Sequence, residues 1–152
     1  MIALSQRVLE ASVTVDSQMV DHISSGILVL LGIRNDDTEN DAKYLAAKTV
    51  NLRIFPDDND KMNRSLIDTG HELLVVSQFT LHADTRHGNR PSFTDACEPE
   101  RAEHLYKTYI DECKTLIGFD KVRKGKFGAM MKIKLINDGP VTIILRSKND
   151  YQ

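Results

Sequence analysis

Cysteine is scarce: Cys97 and Cys113 are the only two in the 152-residue chain. Cys113 falls on an apolar helical stripe and reads as a buried thiol. Nothing approaches the run of about 20 apolar residues that a membrane-spanning helix needs. The start, Met1 to Arg7, lacks the basic beginning and long apolar run of a signal peptide. A surplus of one charge is lacking too. Twenty Lys and Arg stand against 22 Asp and Glu, for a formal charge of −2, and the pI is near 6.2. That excludes a protein that coats nucleic acid along its whole length, so any RNA contact must come from local basic patches. A soluble, reduced, cytoplasmic protein is expected. There is no internal repeat, low-complexity segment or linker, so residues 1–152 read as one domain. Such a chain buries roughly 68–70% of its unfolded surface, enough for a core without staples. The polar tail, 146–152, is expected to fray.

The common enzyme signatures are missing as well. Ser77 is not in a Gly-x-Ser-x-Gly elbow. His82 and His87 have no partner at a spacing that suggests a triad. No His, Cys or Glu group has zinc spacing. Gly125-Lys126 lacks the upstream Gly and the following Ser or Thr of a phosphate loop. The acidic Pro56–Asp60 stretch lacks the central Gly of a calcium loop and reads as a solvated turn. The sequon Asn63-Arg-Ser65 carries no meaning without secretion. No metal and no cofactor is expected.

What is present is a pattern of strands with two helices. Ile2–Arg7 reads as a strand. Ser12–Val15 alternates polar and apolar as a second one, followed by a turn at Asp16–Gln18 and a returning strand at Met19–Ile23. Ile27–Leu31, five apolar residues between glycines, reads as a central strand. Asp37-Thr38 suits a helix cap. Ala42, Leu45, Ala46, Thr49 and Val50 then form one buried stripe. Leu52–Phe55 reads as strand. Pro99 suits the first turn of a second helix. Its stripe runs from Ala102 through Leu105, Tyr106, Tyr109, Ile110 and Cys113 to Leu116 and Ile117, with Gly118 as its stop. Met131, Ile133 and Leu135 alternate with lysines as a strand with one wet face, and Val141–Leu145 is the last strand. The fold class is α+β: a mostly antiparallel sheet, two amphipathic helices packed on it.

Two stretches stand apart. Glu72–Leu81 opens with four apolar residues, Leu73 to Val76, the mark of a strand buried on both faces. It then turns polar at Ser77, Gln78 and Thr80 without an obvious end. Buried polar groups left unpaired cost roughly 1–3 kcal/mol each, so these either bond structurally or serve a pocket mouth. Asn137-Asp-Gly-Pro-Val-Thr142 is a stiff segment, because the residue before proline is held out of the helical region. On local grounds it reads as a hairpin turn.

Ser77-Gln-Phe-Thr-Leu81 and Asn137-Asp-Gly-Pro-Val-Thr142 together resemble the two signature motifs of the D-aminoacyl-tRNA deacylases, in the form usual for the bacterial and eukaryotic enzymes. Arg7-Val8 with Ala11–Val15, Asn51–Phe55, Lys61–Asn63, Arg90–Phe93 and Gly125–Ala129 match the same family in order. The resemblance reaches to about Leu145. It implies a barrel-like sheet assembly forming a homodimer, and cleavage of the ester between a D-amino acid and tRNA with L-aminoacyl-tRNA spared. Catalysis in this family is thought to lean on the 2′-hydroxyl of the terminal adenosine. That suits a chain with hydroxyls and amides but no acid–base pair.

The resemblance places catalysis at Ser77, Gln78, Phe79 and Thr80. Substrate binding and chiral selection fall to Gly139, Pro140, Asn137, Thr142, Phe93 and Met131. Gly139-Pro140 is implied to enter the pocket of the other subunit. Glycine has no side chain to exclude, so mischarged glycyl-tRNA(Ala) is implied as a second substrate. For Thr80 three roles stand open: nucleophile, pocket donor, or a strand threonine bonded to backbone. Phe79 either stacks on the terminal adenine or is a core aromatic. The N–H groups of Phe79 and Thr80 suit an oxyanion hole. Arg7, Arg86, Arg90, Lys121, Arg123, Lys124 and Lys126 are candidates for tRNA phosphates, which position RNA without reading sequence. Arg7 and Phe93 alternatively brace the pocket. His82 stands where many relatives carry Tyr. The rivals are a nucleic-acid-binding, replication-associated module on the same fold, and a general acyl-tRNA or peptidyl-tRNA hydrolase without chiral discrimination.

Overall fold

The computed structural model describes residues 1–147. In chain order these form β1 (Ile2–Val15), β2 (Gln18–Ile23), β3 (Gly26–Gly32), α1 (Glu39–Val50), β4 (Phe55–Pro56), β5 (Met62–Arg64), α2 (Leu66–Thr69), β6 (Glu72–Ser77), α3 (Pro99–Ile117), β7 (Val122–Lys124) and β8 (Lys132–Arg146). Short 3₁₀ turns occupy Phe79–His82 and Phe119–Lys121. Six strands make one mixed sheet in the order β2-β1-β3-β6-β7, with β8 along the other side of β1. Pairs made by β1 are antiparallel, while β3–β6 and β6–β7 are parallel. Among the described residues no helix is long and apolar enough to cross a membrane.

The helices start where the sequence places them. Thr38 caps α1 through a reciprocal box with Asp41, and Ala42, Leu45, Ala46, Thr49 and Val50 are its buried residues. In α3 Pro99 opens the helix, Ala102 to Cys113 face inward, and Gly118 ends it at a φ of 101°. Tyr109 is fully buried between the two helices, its hydroxyl donating to Thr49 Oγ1 at 2.7 Å. Both helices pack on the face carrying Ile27, Val29, Leu31, Leu73 and Val75. Burial of each such side chain stabilises by about 1.5–3 kcal/mol. The opposite face holds a second core of Val8, Ala11, Val13, Leu28, Leu74 and Val76. Met131, Ile133 and Leu135 close over it and give the sheet its barrel-like curl.

Five expectations change. Ile2–Arg7 and Ser12–Val15 belong to one strand, β1, kept continuous by pairing with β8 through register shifts at Val8. Leu52–Phe55 yields only the two-residue β4. The strand begun at Glu72 ends at Ser77, opposite Leu31 and one residue before its parallel partner β3 ends at Gly32. The Gly139-Pro140 step is not a hairpin turn. Strand β8 continues through it in one direction, and four residues, Asp138–Val141, stand opposite Arg7 alone between the pairs Val8↔Asn137 and Gln6↔Thr142. The Gly139-Pro140 peptide is cis. At the end of the chain, Arg146 pairs with Ile2 and Ser147 N–H donates to the Met1 carbonyl, so neither frays. Residues 148–152 lie outside the described residues.

Candidate active site

Strands β3 and β6 end side by side. Gln78 N–H donates to the Leu31 carbonyl at 2.8 Å, and the chain then turns into the 3₁₀ segment Phe79–His82. Gly32 makes this turn fit: a Cβ there would lie 3.0 Å from Leu81 Cβ and 3.1 Å from the Gln78 carbonyl oxygen. A cavity of about 720 Å³ opens beyond the strand ends, bounded by the start of α3 and by the Phe127–Met131 segment. That is the size of a small-molecule site.

The walls are mainly apolar. Phe79 meets Phe93 edge-on with centroids 5.1 Å apart, and Phe127 packs on Tyr106 at 5.5 Å. Ser77 and Gln78 supply polar groups, and Glu98 is the one charged residue on the wall among the described residues. Thr80 does not line the cavity. It sits exposed on the turn, and its Oγ1 accepts from Gln78 Nε2 in a short bond. The expectation of a polar strand inside packed interior is therefore corrected. Because β6 stops at Ser77, Phe79 and Thr80 are exposed and Gln78 is only half-buried. The N–H groups of Phe79 and Thr80 open a 3₁₀ turn, where the first donors have no partner inside the turn. His82 is buried behind it, and burial holds its imidazole pKa below the ordinary value of 6.5.

Met131 and Phe93 thus join Ser77, Gln78 and Phe79 at the cavity, whereas Asn137, Gly139, Pro140 and Thr142 do not line it. The latter form a pinned projection elsewhere. Asn137 Oδ1 accepts from Val141 N–H at 2.7 Å, and its amide donates to Thr142 Oγ1 at 3.1 Å, closing the neck of the loop. Arg7 Nε reaches the Asp138 carbonyl at 3.1 Å and its carboxylate at 2.9 Å, while Nη1 donates to the Ile54 carbonyl at 2.5 Å. Gly139 has a φ of 136°, and a Cβ there would lie 2.7 Å from Val141 Cγ2. Gly139 and Pro140 are exposed at the tip.

Of the basic candidates, Arg7 is spent as this brace, its side chain only 12% exposed. Arg86 grips Asp84 with two bonds, at 2.9 and 2.7 Å, which hold the Asp84 carboxyl well below its ordinary range. Arg123 lies 3.7 Å from Asp21. Arg90, Lys124 and Lys126 are exposed. Of the wall residues Ala96–Pro99, the sequence marks Pro99 as a helix start, and nothing in it marks the four as lining a cavity. Phe127 carried a faint signal, an aromatic set between two glycines.

An apolar cavity with aromatic rings at its mouth and a few hydroxyl and amide donors defines a site that binds and orients. The family description D-Tyr-tRNA(Tyr) deacylase matches residues 4–146. A D-aminoacyl-tRNA deacylase of Parabacteroides distasonis is 52% identical, covering 98% of this chain and 99% of its own. One of Roseiflexus castenholzii is 56% identical over 97% and 92%. A solved structure of the c-Myc DNA Unwinding Element Binding Protein superposes with a TM-score of 0.93 at 41% identity, covering 97% of this chain and 99% of that one. A probable eukaryotic D-amino acid tRNA deacylase shares the fold, at a TM-score of 0.83 and 16% identity over 95% and 97%. The chain belongs to the D-Tyr-tRNA(Tyr) deacylase family.

Proposed function

We propose that this protein is a cytoplasmic editing hydrolase that cleaves the ester of D-aminoacyl-tRNA, releasing the D-amino acid and free tRNA and sparing L-aminoacyl-tRNA. Family membership across nearly the whole chain supports the reaction. The observation that carries the mechanism is the separation of two parts: a cavity with donors but no acid–base pair, and a rigid Gly139-Pro140 loop that does not line it.

The terminal adenosine enters the cavity and stacks at Phe79. The ester carbonyl points at the N–H groups of Phe79 and Thr80, which stabilise the oxyanion as water adds to the carbonyl carbon. The neighbouring 2′-hydroxyl of the RNA assists that addition, and the C–O bond to the 3′-oxygen breaks. Positioning supplies much of the acceleration for an ester already activated. No cofactor enters this scheme.

Chirality is read by the loop of a second copy. Thousandfold discrimination requires about 4 kcal/mol, more than a loose apolar pocket gives for one methylene. The enantiomers differ only in direction, so rejection requires a rigid wall at the α-carbon. Gly139-Pro140, pinned by Arg7 and Asn137, is such a wall, and its carbonyls accept from the substrate ammonium. A homodimer brings it to the cavity. In its favour, Leu4, Leu30 and Ile144 are only partly covered on the sheet face away from the helices. Glycyl-tRNA(Ala), with no side chain to exclude, is a second substrate.

The test is deacylation of D-tyrosyl-tRNA and L-tyrosyl-tRNA in parallel, without added metal. D-only cleavage is expected. Cleavage of both would retain the hydrolase and reject the wall. One observation favours a second reading: the 41%-identical chain is named for binding a DNA unwinding element. Salt-dependent DNA binding with no cleavage of either ester would put that reading first.

A further inference from the structure

The fold sorts the basic residues. Arg86 is neutralised by Asp84 and Arg123 faces Asp21. Lys121 lies beside Glu72. Burial opposes ionisation of that carboxyl, yet bonds from Ser24 and the Arg123 and Lys121 charges hold it below its ordinary range. Lys124 and Lys126 differ from these. Both are exposed, and neither ammonium is in an ion pair among the described residues, although the Lys124 backbone N–H donates to Asp21 Oδ2 at 3.4 Å.

Their placement relative to the cavity is fixed. Lys124 pairs with Val75 on β6, two residues before Ser77. Gly125 N–H donates to the Val75 carbonyl at 2.9 Å. The bare Cα of Gly125 turns toward the cavity wall, where an added Cβ would stand 2.7 Å from Met131 Sδ. Alternation along extended backbone then turns Lys124 and Lys126 the other way, toward solvent. The Lys126 carbonyl accepts from Ala129 N–H at 3.2 Å, closing a turn whose central residues, Phe127 and Gly128, line the cavity. Two unneutralised cations therefore sit side by side at one lip of the site.

We infer that Lys124 and Lys126 clamp the phosphates next to the 3′-terminal adenosine, so that the single-stranded end of the tRNA leaves the cavity across the β7 lip, with Arg86 and Arg123 outside its path. This rests on the deacylase reading above. Such a clamp adds affinity without reading bases.

The experiment compares two substrates, D-tyrosyl-tRNA and the phosphate-free ester 3′-O-D-tyrosyl-adenosine. On the tRNA, the Lys124→Ala/Lys126→Ala double variant loses kcat/KM through KM. Its log–log salt dependence becomes shallower by about 1.4, at about 0.7 per single-strand phosphate. On the adenosine ester it matches the wild type. Arg123→Ala, and Lys132→Ala on the opposite side of β8 from Met131 and Ile133, keep the wild-type slope. An unchanged slope in the double variant overturns the clamp, as does an equal loss on both substrates or an equal effect of Lys132→Ala. A wild-type protein inert on both esters overturns the deacylase reading together with the clamp.

Discussion

Thr80 carries the residue-scale question, because its hydroxyl is tied to Gln78 and stands outside the cavity wall. Among the described residues its hydroxyl is held by the Gln78 amide, which is no base to activate it. Thr80→Ala is therefore expected to keep deacylation within about tenfold, a barrier change of about 1.4 kcal/mol. Near-total loss with substrate binding intact would make Thr80 a nucleophile. The complementary test removes the RNA group instead: substrate ending in 2′-deoxyadenosine should turn over poorly, and normal turnover would remove the 2′-hydroxyl from the mechanism. His82 makes a pH prediction. Burial lowers its pKa in the folded state below 6.5. Above pH 6.5 both states are neutral there. As the pH falls below about 6.5, the unfolded chain takes up the proton first, so stability is lost on acidification until the folded imidazole also titrates. Melting temperatures at pH 7.5 and 5.5 should differ more for the wild type than for His82→Gln.

Among the elements, α1 and α3 were legible because their signals are local. A capping threonine, a proline at the first turn, a terminal glycine and a 3.6-residue stripe all lie within the segment they define. The errors fell where a distant partner decides. Phe79-Thr80-Leu81 has strand composition, but the ladder of β6 with β3 closes at Leu31↔Ser77, Gln78 N–H bonds the Leu31 carbonyl, and the chain turns into the 3₁₀ segment. Gly139-Pro140 has turn composition, yet β1 pairs with β8 on both sides of it and makes it a projection. For the same reason the sequence pointed to Ser77, Gln78 and Phe79 but not to the Ala96–Pro99 wall, which only the fold brings there. The projection gives the element-scale prediction. Arg7→Ala should reduce the D/L preference at least tenfold, about 1.4 kcal/mol, with cleavage of glycyl-tRNA(Ala) little changed. An unaltered D/L ratio would remove Arg7 as the brace of the chiral wall.

Across the whole molecule, the two ends of the described chain are knitted to the centre. The Met1 ammonium lies 2.5 Å from Asp37, both fully buried, and also donates to Ser147 Oγ at 2.7 Å. Asp37 in turn accepts from Arg34 N–H at 2.7 Å, just before α1. Removing one member of a buried ion pair costs about 3–5 kcal/mol, since the other charge stays behind. Asp37→Asn should lower unfolding stability by about that amount in urea titration; a change under about 1 kcal/mol would show that solvent reaches the ammonium.

The loop Asp138–Val141 also has a genetic consequence. In the proposed dimer, each site takes its floor from one subunit and its wall from the other. A subunit damaged at Phe79 and a subunit damaged at Gly139 would each form defective homodimers. Co-expressed, they would make hybrids in which one of the two sites is wholly intact, so about a quarter of all sites regain D-selective cleavage. Two alleles that each fail alone would rescue one another, which no site contained within a single chain permits.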